Sequence, residues 1–160
     1  MAQSSELSLG LRAFLKAYRW RRVDPVPWSP MRKPLASSKI ALVSTAGMVP
    51  RGQEPFSQQA RGGDTSFRQI AGDVDVSTLV DSHRSESFDH RGIESDPNLG
   101  FPLDRIRELQ QQGVIGALNH RHLSFMGSIT APGRLIAETA PAGAQLLVDD
   151  GVDAALLVPV

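Results

Sequence analysis

The chain has 160 residues, of which 41% are hydrophobic and 21% charged, and this composition supports one folded domain with a sizeable core. It contains no cysteine, which excludes disulfides, thiolate metal sites and a thiol nucleophile within these residues. The sequence shows neither an apolar run of about 18 residues nor a basic leader followed by an apolar segment, so we expect a cytoplasmic protein without a membrane span.

The net charge of zero hides an asymmetry between the two parts of the chain. Residues 1–39 carry eight Lys and Arg against two acidic residues, whereas residues 40–160 carry nine against fifteen. A basic segment of charge +6 therefore precedes a body of charge −6.

The basic segment predicts a short amphipathic helix that ends near Trp20, followed by an extended proline-rich strap, and we assign both to a first unit over residues 1–36. The helix is predicted from apolar residues at three- and four-residue spacings, namely Leu7, Leu11, Phe14, Leu15 and Tyr18. Its cations would suit a membrane surface or a nucleic acid, or the unit could pack on the body or on a partner subunit. Because no base-stacking aromatics are interleaved with the cations, we expect no nucleic-acid partner.

The body, residues 37–160, reads as strand, loop, helix, strand, helix, strand. We predict strands over residues 40–44, 114–118 and 152–160, and shorter ones over 67–70 and 74–80. Helices are predicted over residues 101–109 and from about 130 to 147, and residues 82–99 as a surface excursion. This alternation predicts an α/β fold with a mostly parallel sheet and flanking helices, a flavodoxin-like or Rossmann-like three-layer architecture that is incomplete at the C-terminus.

Small and polar residues follow two of the predicted strands. Thr45 and Gly47 come after the first, and Ser124 and Gly127 belong to a polar cluster beyond another. Ligands of α/β proteins bind outside the carboxyl ends of the strands, so these four residues are the predicted substrate-binding positions. Their spacing matches neither a dinucleotide nor a Walker fingerprint, and we expect neither nicotinamide nor ATP.

A metal site is a weaker reading of the histidines. His120 and His122 lie two apart and, with His83 or Asp89, could compose one. Such a pair is more often structural or at the surface, so we predict no metal.

Several segments together resemble the glycine/sarcosine/betaine/D-proline reductase selenoprotein B family. The resemblance runs from about Val23 to Val160. It rests on residues 23–28, 52–56, 82–83, 101–105, 122–127 and 150–153.

The resemblance implies a reductase component whose selenocysteine or cysteine nucleophile follows directly after a strand like the last one here. No catalytic nucleophile then lies in the chain, and it is expected just after Val160. It also implies that His83 and His122 transfer protons or donate hydrogen bonds, although structural hydrogen bonding is an equal alternative. The chain would carry no cofactor of its own: a pyruvoyl group would lie on a partner polypeptide, and a thioredoxin-like dithiol system would accept the oxidising equivalents.

We therefore interpret the chain as a component of a selenol- or thiol-dependent reductase that cleaves the C–N bond of an amino acid or amine, inactive by itself and part of a hetero-complex or a homo-oligomer. One hypothesis is that an in-frame UGA codon after Val160 was taken as a stop. The alternative is a cysteine-free binding or assembly module on the same fold.

Overall fold

The computed structural model describes residues 8–19, 22–85 and 90–160. The chain divides into two compact units, residues 1–30 and 31–160. The first unit contains the predicted amphipathic helix, α1 (Leu9–Ala17), whose first turn is capped by the Ser8 side chain as it accepts a hydrogen bond from the N–H of Leu11. Leu7 and Trp20, which belong to the helix prediction, lie outside the described residues.

The second unit contains seven strands and three α-helices among its described residues. The strands are β1 (Lys39–Ser44), β2 (Met48–Pro50), β3 (Phe67–Ala71), β4 (Leu79–Asp81), β5 (Ala117–Leu118), β6 (Arg121–Phe125) and β7 (Ala154–Val158), and the helices are α2 (His90–Ser95), α3 (Leu103–Gln111) and α4 (Ala140–Asp149). A π-helical turn, Leu135–Thr139, leads into α4.

Strand β1 lies at the centre of a mostly parallel sheet. Strand β7 pairs with one of its edges, β5 and β6 pair in succession with the other, and all three run parallel to β1. Strand β3 adds antiparallel to the outer edge of β6, and β2 and β4 form a separate two-stranded antiparallel sheet. The predicted α/β class with a mostly parallel sheet and flanking helices is confirmed.

Alternate residues of β1 enter two different cores. Ile40 and Leu42 pack in a cluster with Ile106 of α3, whereas Ala41 packs in a second cluster with Leu147 of α4. A strand that is apolar on both faces must be covered on both faces, which explains its continuous hydrophobic run. Helices α3 and α4 thus form the outer layers of a three-layer arrangement.

Strands β5 and β6 pair with the two ends of the same edge of β1 and leave a gap between them, which a buried histidine fills. The N–H of Leu42 on β1 donates to Nδ1 of His122 at 3.0 Å, so an imidazole replaces the backbone acceptor of a continuous strand. His122 is fully buried, and this burial, together with the nearby charge of Arg107, lowers the pKa of its imidazole to about 4. The ring is therefore neutral at physiological pH.

An ion pair links the start of β6 to the end of α4. The Arg121 guanidinium contacts both carboxylate oxygens of Asp150, at 2.7 and 2.6 Å, and Nδ2 of Asn119 donates to the same carboxylate at 2.7 Å. These donors, Arg121 first, outweigh the opposing effect of desolvation and lower the pKa of Asp150 to about 2.

Four sequence predictions need correction. The predicted strand over residues 114–118 is confined to β5, since residues 114–116 form bends before it. Residues 121–125, expected as polar residues beyond a strand, are themselves strand β6, whose backbone pairs with β1 and β3 while His122 and Ser124 are buried. The expected surface excursion contains α2, and Ser82 and His83 within it are buried. The sequence of α2 has no apolar periodicity because Ile93 is its one buried residue. The predicted strand over residues 74–80 is confined to β4, since Val76–Thr78 forms a 3₁₀ turn capped by Asp75.

None of the helices within the described ranges is long and apolar enough to cross a membrane.

Replacing Asp150 with Asn should destabilise the fold by about 2 kcal/mol, because the charge-assisted bonds to Arg121 are lost while the guanidinium stays in place. Urea unfolding of both proteins measures the difference. Asp149→Asn is the matched control, since that neighbouring carboxylate contacts only the exposed Gln145 among the described side chains, and it should cost under about 0.5 kcal/mol.

The same carboxylate predicts an acid dependence of stability. The pKa of Asp150 lies below its usual value of 3.8 when folded, so its contribution is complete above about pH 4 and is lost as the pH falls towards 2. The gap in stability between wild type and Asp150→Asn should therefore narrow over that range. An unchanged gap at pH 2.5 to 3 would show that the ion pair is not the source of the difference.

Candidate functional site

The carboxyl ends of β1 and β6 meet at a topological switch point. The connection after β1 leads eventually to α3 on one face of the sheet, whereas the connection after β6 leads to α4 on the other. Connections that leave neighbouring strands towards opposite faces open a crevice, and open α/β sheets bind ligands there. Thr45 and Gly47 stand on one side of this crevice and Gly127 on the other.

Gly47 joins the β1 end to the loop that carries His83. Its N–H donates to the carbonyl of Phe125 at 2.9 Å, and its carbonyl accepts from the N–H of Ser82 at 3.1 Å. Its φ is +67°, and a Cβ there would lie 3.0 Å from the backbone of His83. Glycine is thus required by both the backbone conformation and the close packing.

Gly127 marks the point where three segments converge. A Cβ on this residue would lie 2.7 Å from Nε2 of His83, 2.9 Å from the carbonyl oxygen of Val160 and 3.0 Å from that of Thr45. Thr45 also fastens β7, because its Oγ1 accepts from the N–H of Val160 at 2.9 Å and its N–H donates to the carbonyl of Val158 at 3.0 Å. The β7 end and the His83 ring therefore share one edge of the crevice.

His83 is a largely buried imidazole with a defined orientation. Its Nδ1 accepts a hydrogen bond from the N–H of Ser85 at 3.2 Å, so in the neutral ring the proton is on Nε2, the atom that faces Gly127. Burial lowers the pKa of His83, and the charges of His90 and Arg84 act in the same direction against the opposing effect of Asp81. The site thus presents a neutral N–H donor.

A cavity of about 360 Å³ opens beside this edge. Thr45, Gly127 and Val160 form its wall at the sheet, and Ile129 and Leu135 form part of the wall that leads to α4. None of the side chains that line it carries a charge. It can hold an aliphatic group next to the polar edge, and the polar side chains among its lining residues are the hydroxyls of Thr45 and Ser128.

Of the predicted site residues, Thr45, Gly47, Gly127 and His83 come together, whereas Ser124 and His122 do not. Ser124 is buried in β6 opposite Ser44, and His122 fills the gap between β5 and β6. Their proposed contributions to binding and proton transfer remain predictions.

The histidine pair considered for a metal is also separated. The His120 side chain is 68% exposed, while His122 has no exposure. Within residues 8–19, 22–85 and 90–160 there is no group of three or more His, Asp or Glu that could hold a metal ion. Asp89, the other residue of that hypothesis, lies outside this part of the chain.

Sequence reasoning missed Asp81 and His90, which surround His83. One oxygen of the Asp81 carboxylate accepts the backbone N–H of His83 at 2.7 Å, and the other contacts Nδ1 of His90. An aspartate two residues before a histidine signals a local carboxylate–backbone turn and could have marked the first contact. The second depends on the position of α2, which showed no periodic pattern.

The fold and this edge define a class: an α/β protein with a ligand crevice at the carboxyl ends of its central strands. Residues 9–160 match the family described as glycine/sarcosine/betaine reductase selenoprotein B, and the chain belongs to this family.

Curated relatives are components of such reductases. The chain is 36% identical over 136 residues to the D-proline reductase subunit gamma of Acetoanaerobium sticklandii, an alignment that covers 84% of this chain and 54% of the relative. It is 29% identical to the sarcosine reductase complex component B subunit beta of Peptoclostridium acidaminophilum, with 84% and 30% covered, and 28% identical to the glycine reductase complex component B subunit gamma of Carboxydothermus hydrogenoformans, with 84% and 31% covered.

The chain therefore spans about half of the first of these relatives and less than a third of the other two. No solved structure matches it significantly.

Replacing Gly127 with Ala should destabilise the protein by about 1–3 kcal/mol and displace His83, because the new methyl group cannot fit between Nε2 and two carbonyl oxygens. Urea unfolding and the imidazole NMR signals of His83 measure the two effects. Gly133→Ala is the control, since a Cβ at that position meets nothing within 4 Å. Equal behaviour of the two variants would contradict the convergence described for Gly127.

Proposed function

We propose that this chain forms one wall of the active site in a multi-component reductase that cleaves the C–N bond of an amino acid or amine. The observation that carries the proposal is the convergence of the β7 end, Gly127 and the Nε2–H of His83 beside an uncharged cavity. Membership of the selenoprotein B family and the names of the relatives, which are subunits and complex components, support it.

The reacting chalcogen is proposed to come from outside these 160 residues, since they contain no cysteine. Its place is the carboxyl end of β7, where Val160 lies against Gly127 and Thr45. A selenolate or thiolate there would attack the carbon that bears nitrogen. The C–N bond breaks, its electron pair goes to nitrogen, and nitrogen takes up a proton.

A second thiolate then completes the reduction. It attacks the chalcogen of the carbon–chalcogen adduct, the carbon leaves with the bonding electrons and gains a proton, and a sulfur–chalcogen bond forms. The substrate gains two electrons, and the two reacting thiol or selenol groups lose two. A thioredoxin-like dithiol system is the proposed reductant that restores them.

The chain's own residues would position the substrate and supply hydrogen bonds. The neutral Nε2–H of His83 can donate a hydrogen bond to the anionic chalcogen or to the departing nitrogen, whose proton then comes from water. The uncharged wall with Ile129 and Leu135 can accommodate the aliphatic part of the substrate. A pyruvoyl group on a partner polypeptide is proposed to supply the carbonyl that binds the amine, and a cytoplasmic location belongs to the same proposal.

The second candidate is a binding or assembly module that uses the same fold. It is favoured by the absence of any cysteine from these 160 residues, since the resemblance implies a selenocysteine or cysteine as the nucleophile. Such a module would gain no reductase activity from additional coding sequence.

Reading the genomic DNA beyond the Val160 codon is the first test. We expect an in-frame UGA followed by coding sequence with a cysteine within a few codons. The extended polypeptide, made with cysteine or selenocysteine at the UGA and combined with its partner subunits, should reduce one of D-proline, glycine, sarcosine or betaine with dithiothreitol as electron donor. The absence of such a continuation, or an extended protein without dithiol-dependent activity, would favour the binding module.

In the active complex, His83→Gln should lower kcat/KM about 100-fold, because the positioned N–H donor is lost at the reacting atoms. His120→Gln is the matched control: its side chain is exposed beside Asp150, away from the cavity, and activity should be unchanged. If both variants retain full activity, His83 takes no part in the chemistry.

A further inference from the structure

Four residues, His83 among them, form a closed ring of hydrogen bonds. Asp81 accepts the N–H of His83 at 2.7 Å and contacts Nδ1 of His90 through its other oxygen. Nε2 of His90 lies 3.0 Å from the carbonyl oxygen of Ser85, and the N–H of Ser85 donates to Nδ1 of His83 at 3.2 Å. The ring joins β4, the loop after it and the start of α2.

The partners of His90 define its protonation state. Both of its nitrogens face acceptors, a carboxylate at Nδ1 and a carbonyl oxygen at Nε2, and neither acceptor has a proton to donate. Two N–H donors are available only on the imidazolium, so this geometry fits the charged ring. The hydrogen bond to Asp81 raises the pKa of His90, in agreement with the geometry.

The hydrogen-bond partner of His83 Nδ1 requires the neutral form of that ring. A backbone N–H can only donate, so Nδ1 of His83 must be unprotonated, and the neutral ring carries its proton on Nε2. The carboxylate of Asp81 and the backbone N–H and carbonyl of Ser85 thus favour different protonation states of two histidines whose ring centroids are 6.5 Å apart.

We propose that Asp81 and charged His90 are positioning residues, which hold His83 as the neutral Nε2–H tautomer facing the end of β7. The part that this arrangement plays in catalysis rests on the function proposed above, whereas the hydrogen bonds that form it are a property of this chain. His90 would act through Ser85: by binding the Ser85 carbonyl, it restrains the backbone of that residue, whose own N–H donates to His83.

The charged groups that face these two rings are few among the described residues. Asp81 lies between the rings, Arg84 adds positive charge near His83, and Glu94 of α2 adds negative charge near His90. Glu94 and Asp81 both favour the charged form of His90. The contribution of His90⁺ to the ring is present at low pH and is lost as the pH rises through its raised pKa, which lies above the ordinary value of 6.5.

NMR of the ¹⁵N-labelled 160-residue chain tests the proposal without any partner. Long-range ¹H–¹⁵N correlations report the tautomer and the titration of each imidazole. In the wild type we expect His83 as the Nε2–H tautomer with a pKa below that of free histidine, and His90 with a pKa above it. In His90→Gln, the tautomer of His83 should change from one form to a mixture, and its pKa should rise because a neighbouring positive charge is gone.

Glu94→Gln is the matched control, since it removes a charge near His90 but no member of the ring, and His83 should keep its single tautomer. If His90→Gln proves unfolded in its ¹⁵N–¹H spectrum, the wild type supplies the same test: the His83 signals should shift to a tautomer mixture as the pH passes the His90 titration. A wild-type His83 protonated on Nδ1, or one indifferent to both His90→Gln and its titration, overturns the proposal. Because the readout is not activity, this failure is distinct from a failure of the proposed reductase function.

Discussion

The structure depends on strand β1, which is buried on both faces and paired along both edges. Its side chains alternate between two apolar clusters, and its backbone pairs with β7 on one edge and with β5 and β6 on the other. Each core is thereby attached to the same six residues. Because the connection after β1 and that after β6 lead to opposite faces, the crevice between their carboxyl ends follows directly from this arrangement.

Histidine has different roles at two places along the central strand. At the gap between β5 and β6, His122 is a structural acceptor for the Leu42 N–H, and deep burial keeps it neutral. At the crevice, burial lowers the pKa of His83 and the Ser85 N–H binds its Nδ1, while acceptors at both nitrogens of His90 beside it favour the charged form of that ring. The surroundings of each ring, rather than the residue type, decide whether it accepts, donates or carries charge.

Much of the fold could be predicted from the sequence, because its signals are local. The continuous apolar run of β1 and the proline-initiated, three-residue spacing of α3 identify a buried strand and an amphipathic helix without reference to the rest of the chain. Gly47 and Gly127 could be placed near a site because small residues after strands permit close approach.

The remaining features depend on contacts between distant segments. Strand β6 carries buried His122 and Ser124, and their polar character concealed the strand, since their environment comes from β1 and α3. The Asp81–His90 contact likewise joins residues whose proximity is set by the packing of Ile93 in the core. The family resemblance pointed to His83 but could not supply its tautomer, which requires the position of Ser85.

The pairing of β7 with β1 also has a consequence for folding. Lys39 and Asp153, which bond through the Lys39 N–H at 2.9 Å, are 114 residues apart in sequence, and the crevice edge joins Thr45 to Val160 over a similar separation. Pairing between two strands that are so far apart in the sequence gives a high contact order, which slows folding. During synthesis, the crevice can form only after the β7 segment has left the ribosome, and until then the central strand has one edge open to incorrect pairing.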